Sequence, residues 1–430
     1  MQTSRPEEIL KTVFGYDSFK PLQREIIDSV LAGRDSLAVL PTGGGKSLCY
    51  QIPALIRQGT GIVVSPLIAL MQDQVDALRE AGVAAAYLNS SLGADDQREV
   101  ERQLSAGELN LLYVAPERLL TGRFLNLLEH TEVALFAIDE AHCVSQWGHD
   151  FRPEYRELAI LHQRFPQVPR IALTATADPR TREEIVERLA LQRARQFLAS
   201  FDRPNIGYRV GLRHNAKRQL GEFLQGHRGE SGIVYCLSRR KVDDTAQWLA
   251  ESGIEALPYH AGLDAATRAK NQKRFLREDG VVMVATVAFG MGIDKPDVRY
   301  VIHAAMPSSL EMYHQQIGRA GRDGLPASCV MFYDDDDFDT WCRIMKIDRR
   351  ECLKNLRHGV GAHSLEEHSY LHLTAMYEYC WHSDCRRAFL LKYFGQDYPA
   401  DNCAACDACG SGYLSCTTAD PSRDREGAAD

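Results

Sequence analysis

The chain lacks any long apolar run. Of its 430 residues 45% are hydrophobic, yet no stretch approaches the roughly 18 uninterrupted apolar residues that a membrane span needs. The opening residues MQTSRPEEIL contain no apolar signal core, and Ser4 and Glu7 have instead the spacing of a helix capping box. We therefore expect a soluble globular protein that is not attached to a membrane and stays in the cytosol or the nucleus.

The chain also lacks the cysteine density of a small secreted domain and an excess of positive charge. Its 12 cysteines are spread over 430 residues, so we expect buried thiols and a metal site rather than a disulfide framework. The net charge of −8 argues weakly against a nucleic-acid partner. A locally positive groove can coexist with an acidic whole, so the charge does not exclude such a partner.

Short β-branched segments alternate with amphipathic helical segments, which is the pattern of parallel α/β layers. The first series of predicted strands is SLAVLP, GIVVSP, LLYVAP, ALFAID and RIALTAT. The second series follows FDRPNIGYRV and consists of GIVYCLS, VVMVAT, RYVIHAAM and SCVMFY. We predict one α/β lobe at 1–205 and a second at 206–335, a helical region rich in His, Cys and Tyr at 336–410, and a disordered polar tail at 411–430.

The segment LPTGGGKSLCYQIPAL places a Gly-rich turn between a predicted strand and a predicted helix. Backbone amides of such a turn can wrap the phosphates of a nucleoside triphosphate, Lys46 can reach the β and γ phosphates, and Ser47 can hold Mg²⁺. The general motif has Gly where this chain has Leu40, so a Gly-rich turn without this function is the alternative. The predicted loop residues are Thr42, Gly43, Gly44, Gly45, Lys46 and Ser47.

A second motif, ALFAIDEAH, favours the phosphate-binding interpretation. A buried strand would deliver Asp139 to Mg²⁺ and place Glu140 beside it, where a carboxylate can polarise the attacking water. Two acids at a strand end are commonly solvent-facing, but an apolar strand followed by Asp-Glu-Ala-His is a more particular pattern.

Together PTGGGKS, DEAH, TATA, ATVAFGMGIDKPDV and HQQIGRAGRDG resemble a superfamily 2 helicase. DEAHCVSQWGHDFRPEY resembles specifically the RecQ family of DNA helicases, and the resemblance extends over about residues 8–410. It implies an α/β fold of two tandem RecA-like parallel-sheet lobes followed by a small helical zinc-binding module. It also implies an ATP-dependent 3′→5′ DNA helicase of repair and recombination, with ATP, Mg²⁺ and Zn²⁺ as cofactors.

The resemblance implies further roles at the nucleotide. In FKPLQREII, Gln23 would hydrogen-bond the adenine edge, and Phe19 or Lys20 would line the pocket. In IGRAGRDG, one or both of Arg319 and Arg322 would act as arginine fingers at the γ phosphate and link hydrolysis to domain motion.

The loop SQWGHDFRPEY interleaves aromatic rings with polar side chains. Aromatic rings and guanidinium groups stack on unpaired bases, and the RecQ resemblance implies that this loop couples strand binding to hydrolysis. The alternative is that Trp147 and Phe151 anchor a core. Hydroxyls elsewhere suit phosphate contacts without reading sequence. The predicted strand-contacting residues are Ser65, Trp147, His149, Phe151, Arg152 and Thr286.

Near the C-terminal end, Cys403, Cys406 and Cys409 are spaced as Cys-x₂-Cys-x₂-Cys, and Cys385 precedes a predicted helix. Four thiolates around one ion indicate structural zinc, with an iron–sulfur cluster as the rival. The RecQ resemblance favours zinc and Cys385 as the fourth ligand, with Cys380 as a second candidate. Only 21 residues follow Cys409, so we expect neither the winged-helix nor the small helical domain of longer relatives.

The expected partners are single-stranded DNA and 3′-tailed or forked duplexes, with single-strand-binding and recombination proteins as further candidates. The expected location is the cytoplasm, near the nucleoid, in a bacterium, or the nucleus in a eukaryote. Two other functions stay open, namely an RNA helicase or remodeller of the same superfamily, and a non-enzymatic nucleic-acid-binding protein with a decayed motor. All residue types that hydrolysis requires are present, which argues against the second.

Overall fold

A computed structural model of the protein describes residues 5–145, 151–290, 295–350 and 365–410. The chain divides into two compact units. The first comprises the described residues up to Phe201 together with Tyr393–Gln396, and the second comprises Asp202–Lys392 and the described residues from Asp397 onward. The predicted limits of lobes and module remain predictions, and the predicted tail lies outside the described residues.

The first unit is built on a parallel sheet, whose strands in the described residues are β1 Ser36–Val39, β2 Thr60–Val64, β3 Ala85–Leu88, β4 Leu111–Val114, β5 Val133–Ile138, β6 Arg170–Thr174 and β7 Arg195–Leu198. Their order across the sheet is β3-β4-β2-β5-β6-β1-β7. All these pairings are parallel. The carboxyl ends of β1, β6 and β5 therefore meet at one edge, which is where parallel α/β sheets bind ligands.

The helices of this unit surround the sheet. They are α1 Pro6–Thr12, α2 Gln23–Leu31, α3 Leu48–Ile56, α4 Ile68–Glu80, α5 Ala94–Ser105, α6 Pro116–Leu119, α7 Gly122–Glu129, α8 Pro153–Glu157, α9 Ile160–Arg164 and α10 Pro179–Arg188, with a 3-10 helix at Ala141–Val144. Strands β1, β2, β4 and β6 are buried along their whole length, as expected for a sheet covered on both faces.

The second unit repeats the plan with the strands β8 Ile206–Leu212, β9 Gly232–Tyr235, β10 Ala256–Tyr259, β11 Val282–Ala285, β12 Tyr300–His303 and β13 Ala327–Tyr333. Their order is β10-β11-β9-β12-β13-β8, again with parallel pairings. Its described helices are α11 Ala216–Gln225, α12 Arg239–Glu251, α13 Ala265–Arg277, α14 Leu310–Ile317, α15 Asp335–Met345, α16 Leu365–Trp381 and α17 Arg386–Tyr393, with a 3-10 helix at Asp407–Cys409.

The helical region that follows β13 is attached to this second sheet. Helix α16 packs against α14 and α15. At the free edge of β8, Tyr208 forms a parallel bridge with Cys406, and the Tyr208 N–H donates to the Ala405 carbonyl at 2.9 Å. The cysteine-rich loop thus covers the edge of a sheet. No helix in the described part of the chain is long and apolar enough to cross a membrane.

Candidate nucleotide site and cysteine cluster

The predicted phosphate loop joins β1 to α3. Gly43 and Gly45 have φ angles of 81° and 73°, in the left-handed region that favours glycine. A Cβ on Gly45 would also lie 2.3 Å from Nε2 of Gln23. Ser47 is the N-cap residue of α3, so the loop leads directly into a helix N-terminus, where backbone N–H groups and the helix dipole favour an anion.

The predicted base-reading residues hold this loop. The buried Gln23 amide donates to the carbonyls of Gly44 at 3.3 Å and Gly45 at 3.0 Å, and its Oε1 accepts from the Lys20 N–H at 2.8 Å. Lys20 Nζ donates to the Gly43 carbonyl at 2.7 Å. The structure therefore brings Lys20, Gln23 and the glycines together, and ties the candidate base site to the candidate phosphate site.

Three other residues predicted to contact nucleotide or nucleic acid are half-buried or buried. Phe19 is half-buried against a small apolar cluster that includes Ile9 and Ile52, and Thr42 is half-buried in the loop. Ser65, just after β2, is 1% exposed, and its Oγ has no hydrogen-bond partner within the described parts of the chain. Its proposed contact with a nucleic-acid backbone stays a prediction.

Strand β5 delivers the acidic pair to the same sheet edge. Asp139 is 8% and Glu140 7% exposed, and the Glu140 N–H donates to Asp139 Oδ1 at 3.0 Å. Lys46 Nζ lies 3.7 Å from Glu140 Oε1, so the loop lysine and the second acid already form an ion pair. Glu140 has φ 49°, a conformation that costs on the order of 1–3 kcal/mol in a residue other than glycine.

The electrostatics of this pair follow from burial. Burial and the neighbouring Glu140 carboxylate raise the pKa of Asp139 from 3.8 to about 6, against the opposing effects of Lys46 and the Glu140 N–H. Two buried carboxylates side by side repel each other, and a divalent cation would relieve that repulsion. Oxygen donors at Asp139 and Ser47 are of the type that Mg²⁺ prefers.

His142 lies between the acidic pair and β6. His142 lies with Nδ1 3.3 Å from Glu140 Oε2 and 2.9 Å from Thr174 Oγ1, and Thr174 Oγ1 donates to the Thr176 carbonyl at 3.0 Å. The Tyr155 hydroxyl donates to the Asp139 carbonyl at 2.9 Å. Sequence reasoning assigned His142, Thr174 and Thr176 no role, although the DEAH and TATA motifs that contain them were the available signal.

Part of the aromatic loop follows the acidic pair. Trp147 and His149 lie outside the described residues. Phe151 is half-buried, and the Arg156 guanidinium lies 5.1 Å from the centre of its ring. Arg152 donates from Nη1 to the Pro66 carbonyl at 3.0 Å. Because Pro66 directly follows Ser65, this bond holds Arg152 close to the predicted contact residue Ser65.

In the second unit the two predicted arginine fingers lie near one tyrosine. Arg319 is 4% exposed and donates from Nε to the Tyr235 hydroxyl at 3.1 Å. Arg322 is half-buried. Burial raises the pKa of Tyr235, while the positive charges of Arg319 and Arg322 lower it. Thr286, half-buried after β11, accepts from the Ala288 N–H at 3.4 Å.

The sulfur atoms of Cys385, Cys403, Cys406 and Cys409 all lie within 4.8 Å of one another. Tetrahedral Zn–S bonds of about 2.3 Å require sulfur atoms at such separations, so the donor set fits a closed zinc site. Cys380 is buried, which raises its pKa well above that of an ordinary thiol, and it is not a member of this group as the described residues define it.

Comparison with known proteins places these features in families. Residues 20–185 match the DEAD/DEAH box helicase family, 215–324 the helicase conserved C-terminal domain, and 336–410 the RecQ zinc-binding family. The predicted fold class, two RecA-like parallel-sheet lobes with a helical zinc-binding region, is thereby confirmed.

Full-length relatives are also similar. The chain is 47% identical over 401 residues to the ATP-dependent DNA helicase RecQ of Pasteurella multocida, covering 93% of this chain and 62% of the relative. It is 42% identical over 407 residues to that of Bacillus subtilis, covering 94% and 67%. The chain thus spans about two thirds or less of these relatives. The Mycobacterium smegmatis helicase Lhr bound to ssDNA and AMP-PNP shares the fold, with TM-score 0.59, 20% identity, and 88% and 57% of the two chains covered.

Proposed function

Since the chain belongs to the RecQ family of helicases, we propose that it is an ATP-dependent DNA helicase. It couples hydrolysis to 3′→5′ movement along single-stranded DNA and to duplex unwinding in repair and recombination. The observation that carries the hydrolytic part is the ion pair of Lys46 with Glu140, 3.7 Å long, beside the buried Asp139. The residues that would bind phosphate, hold Mg²⁺ and act as the base therefore lie at one sheet edge, which supports the proposal.

ATP would bind with its β and γ phosphates against the loop. Lys46 would then exchange its contact with Glu140 for phosphate oxygens, which leaves the Glu140 carboxylate to accept a proton from the attacking water. Ser47 and Asp139 would hold Mg²⁺, which when bound neutralises phosphate charge. His142, 3.3 Å from Glu140, would keep that carboxylate oriented.

Recognition of the base would start from the contacts already present. Gln23 would hydrogen-bond the adenine edge with Lys20 and Phe19 beside it. Because the Gln23 amide also bonds to the loop carbonyls of Gly44 and Gly45, base binding would rearrange the phosphate loop. We assign Arg319 and Arg322 of the second unit to the charge that develops on the γ phosphate.

The strand would be held by stacking and by phosphate contacts. Trp147, His149, Phe151 and Arg152 would engage unpaired bases, and Ser65 and Thr286 would lie near phosphates. The four cysteines would hold one zinc ion with no open position, so its role is structural. The expected substrates are single-stranded DNA and 3′-tailed or forked duplexes, with single-strand-binding and recombination proteins as partners, in the bacterial cytoplasm or the eukaryotic nucleus.

The test compares ATP turnover of the wild-type chain alone, with single-stranded DNA, and with RNA of the same sequence. Strong stimulation by DNA and little by RNA is expected. Equal stimulation by RNA would favour the RNA helicase alternative, and no turnover with either would indicate a non-enzymatic binding protein. Strand displacement on matched 3′-tailed and 5′-tailed duplexes tests polarity, and preference for the 5′ tail would reject 3′→5′ movement.

A further inference from the structure

A buried arginine two residues after Cys385 contacts the start of the second unit. Arg387 is 3% exposed. Its Nη1 donates to Asp202 Oδ1 at 2.6 Å, and its Nη2 donates to the carbonyls of Pro204 at 3.3 Å and Ile206 at 2.9 Å. One guanidinium on α17, the helix that follows Cys385, therefore contacts a side chain and two backbone groups in the segment 202–206.

The next residue of that segment holds the loop after α14. Arg203 donates from Nη1 to the Gly318 carbonyl at 3.2 Å and from Nη2 to the carbonyls of Ala320 and Gly321, both at 2.9 Å. These three carbonyls all belong to the first residues of the loop 318–325. Arg203 thus hydrogen-bonds to the backbone on both sides of Arg319.

Asn205 also hydrogen-bonds to the same loop. Its Nδ2 donates to the carbonyls of Gly321 at 2.8 Å and Leu325 at 2.9 Å, and so closes the turn that contains Arg322. A Cβ on Gly321 would lie 2.5 Å from that amide nitrogen. The backbone of this turn therefore lies directly against the Asn205 side chain, with no room for a Cβ at Gly321.

We propose that Arg387 is a positioning residue for ATP hydrolysis. Through Asp202, Arg203 and Asn205 it fixes the loop that presents Arg319 and Arg322, so the zinc-binding module sets the geometry of the arginine fingers. The inference rests on the proposed function, because it requires that these arginines act on ATP. A displacement of about 1 Å in a catalytic group can lower a rate by on the order of 100-fold. Loss of the contacts that position Arg319 and Arg322 should therefore lower kcat measurably.

The test uses Arg387→Ala and Arg387→Lys in the full chain. We expect kcat of DNA-stimulated hydrolysis to fall roughly 10- to 100-fold in Arg387→Ala, with KM for ATP changed less than about threefold, because the interaction matters only in the transition state. Arg387→Lys should recover part of kcat, since an ammonium can pair with Asp202 but cannot reach all three acceptors in one plane.

A readout independent of turnover is the affinity for nucleotide. ADP with aluminium fluoride mimics the transferring phosphoryl group, so its affinity should fall with kcat while the affinity for ADP stays at the wild-type level. Zinc content should remain one ion per chain. Lys392→Ala is the matched control, because it removes an exposed positive charge from the same helix and should leave kcat unchanged.

A double-mutant cycle tests whether Arg387 acts on the arginine loop through Arg203. If Arg387 acts through the segment 202–206, Arg203→Ala should show the same kcat-specific defect, and combining it with Arg387→Ala should lower kcat little further. Additive losses would overturn the inference, as would a folded, zinc-loaded Arg387→Ala protein with wild-type kcat. If Arg387→Ala does not fold, Asp202→Asn removes the ionic partner while keeping the side chain's shape, and a wild-type kcat in that variant and in Arg203→Ala would overturn it. A wild-type chain without ATP turnover would instead reject the proposed function.

Discussion

Replacing Asp139 by Asn is expected to stabilise the first unit at neutral pH while it abolishes hydrolysis. Asp139 is 8% exposed, and burial together with the Glu140 carboxylate raises its pKa from 3.8 to about 6. At pH 8 the carboxylate is ionised in both the folded and the unfolded chain. The free energy of unfolding is therefore lowered by the full cost of burying the ionised group. This difference in pKa corresponds to about 3 kcal/mol.

The sign of the pH dependence follows from the direction of the shift. Because the folded chain binds the proton more tightly than the unfolded chain, the penalty is complete above about pH 6 and disappears toward pH 4. Asparagine is neutral throughout, and its Oδ1 can still accept the Glu140 N–H that now lies 3.0 Å from Asp139 Oδ1. The advantage of Asp139→Asn should therefore be largest at pH 8 and clearly smaller at pH 5.

Calorimetry in magnesium-free buffer at pH 8 and pH 5 measures this effect. For a unit of about 200 residues, 1 kcal/mol shifts Tm by roughly 2–4 °C, so about 3 kcal/mol corresponds to roughly 6–12 °C at pH 8. Asp264→Asn is the matched control, because it makes the same chemical change at an exposed helix cap in the second unit. A variant that melts at or below the wild-type temperature at pH 8, or gains equally at both pH values, would refute the reasoning.

Other substitutions separate the roles of the remaining residues. Lys46→Ala should abolish ATP turnover and spare DNA binding measured by fluorescence anisotropy; wild-type turnover would contradict the loop assignment. Glu140→Gln should bind ATP yet lower kcat on the order of 10²–10⁴-fold, whereas lost nucleotide binding would make Glu140 structural. Phe151→Ala should reduce DNA-stimulated turnover more than basal turnover, and an equal fall with a lower Tm would favour a core role. Cys406→Ser should lose zinc and become protease-sensitive, while Cys380→Ser should retain one zinc; iron in the wild-type protein would overturn the zinc assignment.

The strands that sequence reasoning predicted are the interior strands of both sheets. Those it missed are β3, β7, β8 and β10, which lie at the four sheet edges in the described residues. Interior strands of parallel sheets are buried on both faces and read as β-branched runs. Edge strands escape this constraint: β7 reads Arg-Gln-Phe-Leu with three exposed positions, and β10 contains Pro258, which an edge strand tolerates. These segments form strands because they pair with a neighbouring interior strand, and their own composition does not indicate it.

A similar division holds at the candidate nucleotide site. That Lys46, Asp139 and Glu140 lie together could be predicted, because hydrolysis would need their own functional groups at fixed spacing. The contacts of Gln23 with the loop carbonyls, and of Tyr155 with the Asp139 carbonyl, could not, because they join segments far apart in sequence through backbone atoms that no side-chain pattern encodes. The left-handed conformation of Glu140 belongs to the same class, since only the surrounding structure imposes it.

Stability and function are opposed in the first unit and aligned in the zinc-binding region. Asp139 and Glu140 are two neighbouring buried acids, one with strained backbone, so the site that would bind Mg²⁺ is a source of instability that the buried strands around it must outweigh. At the cysteine cluster the proposed role of the metal is itself to stabilise the fold, and the backbone of Cys406 also forms a bridge to the edge of β8 at Tyr208. Stabilising substitutions selected without regard to activity should therefore accumulate at the first site, where they inactivate the protein, and should be rare among the four cysteines.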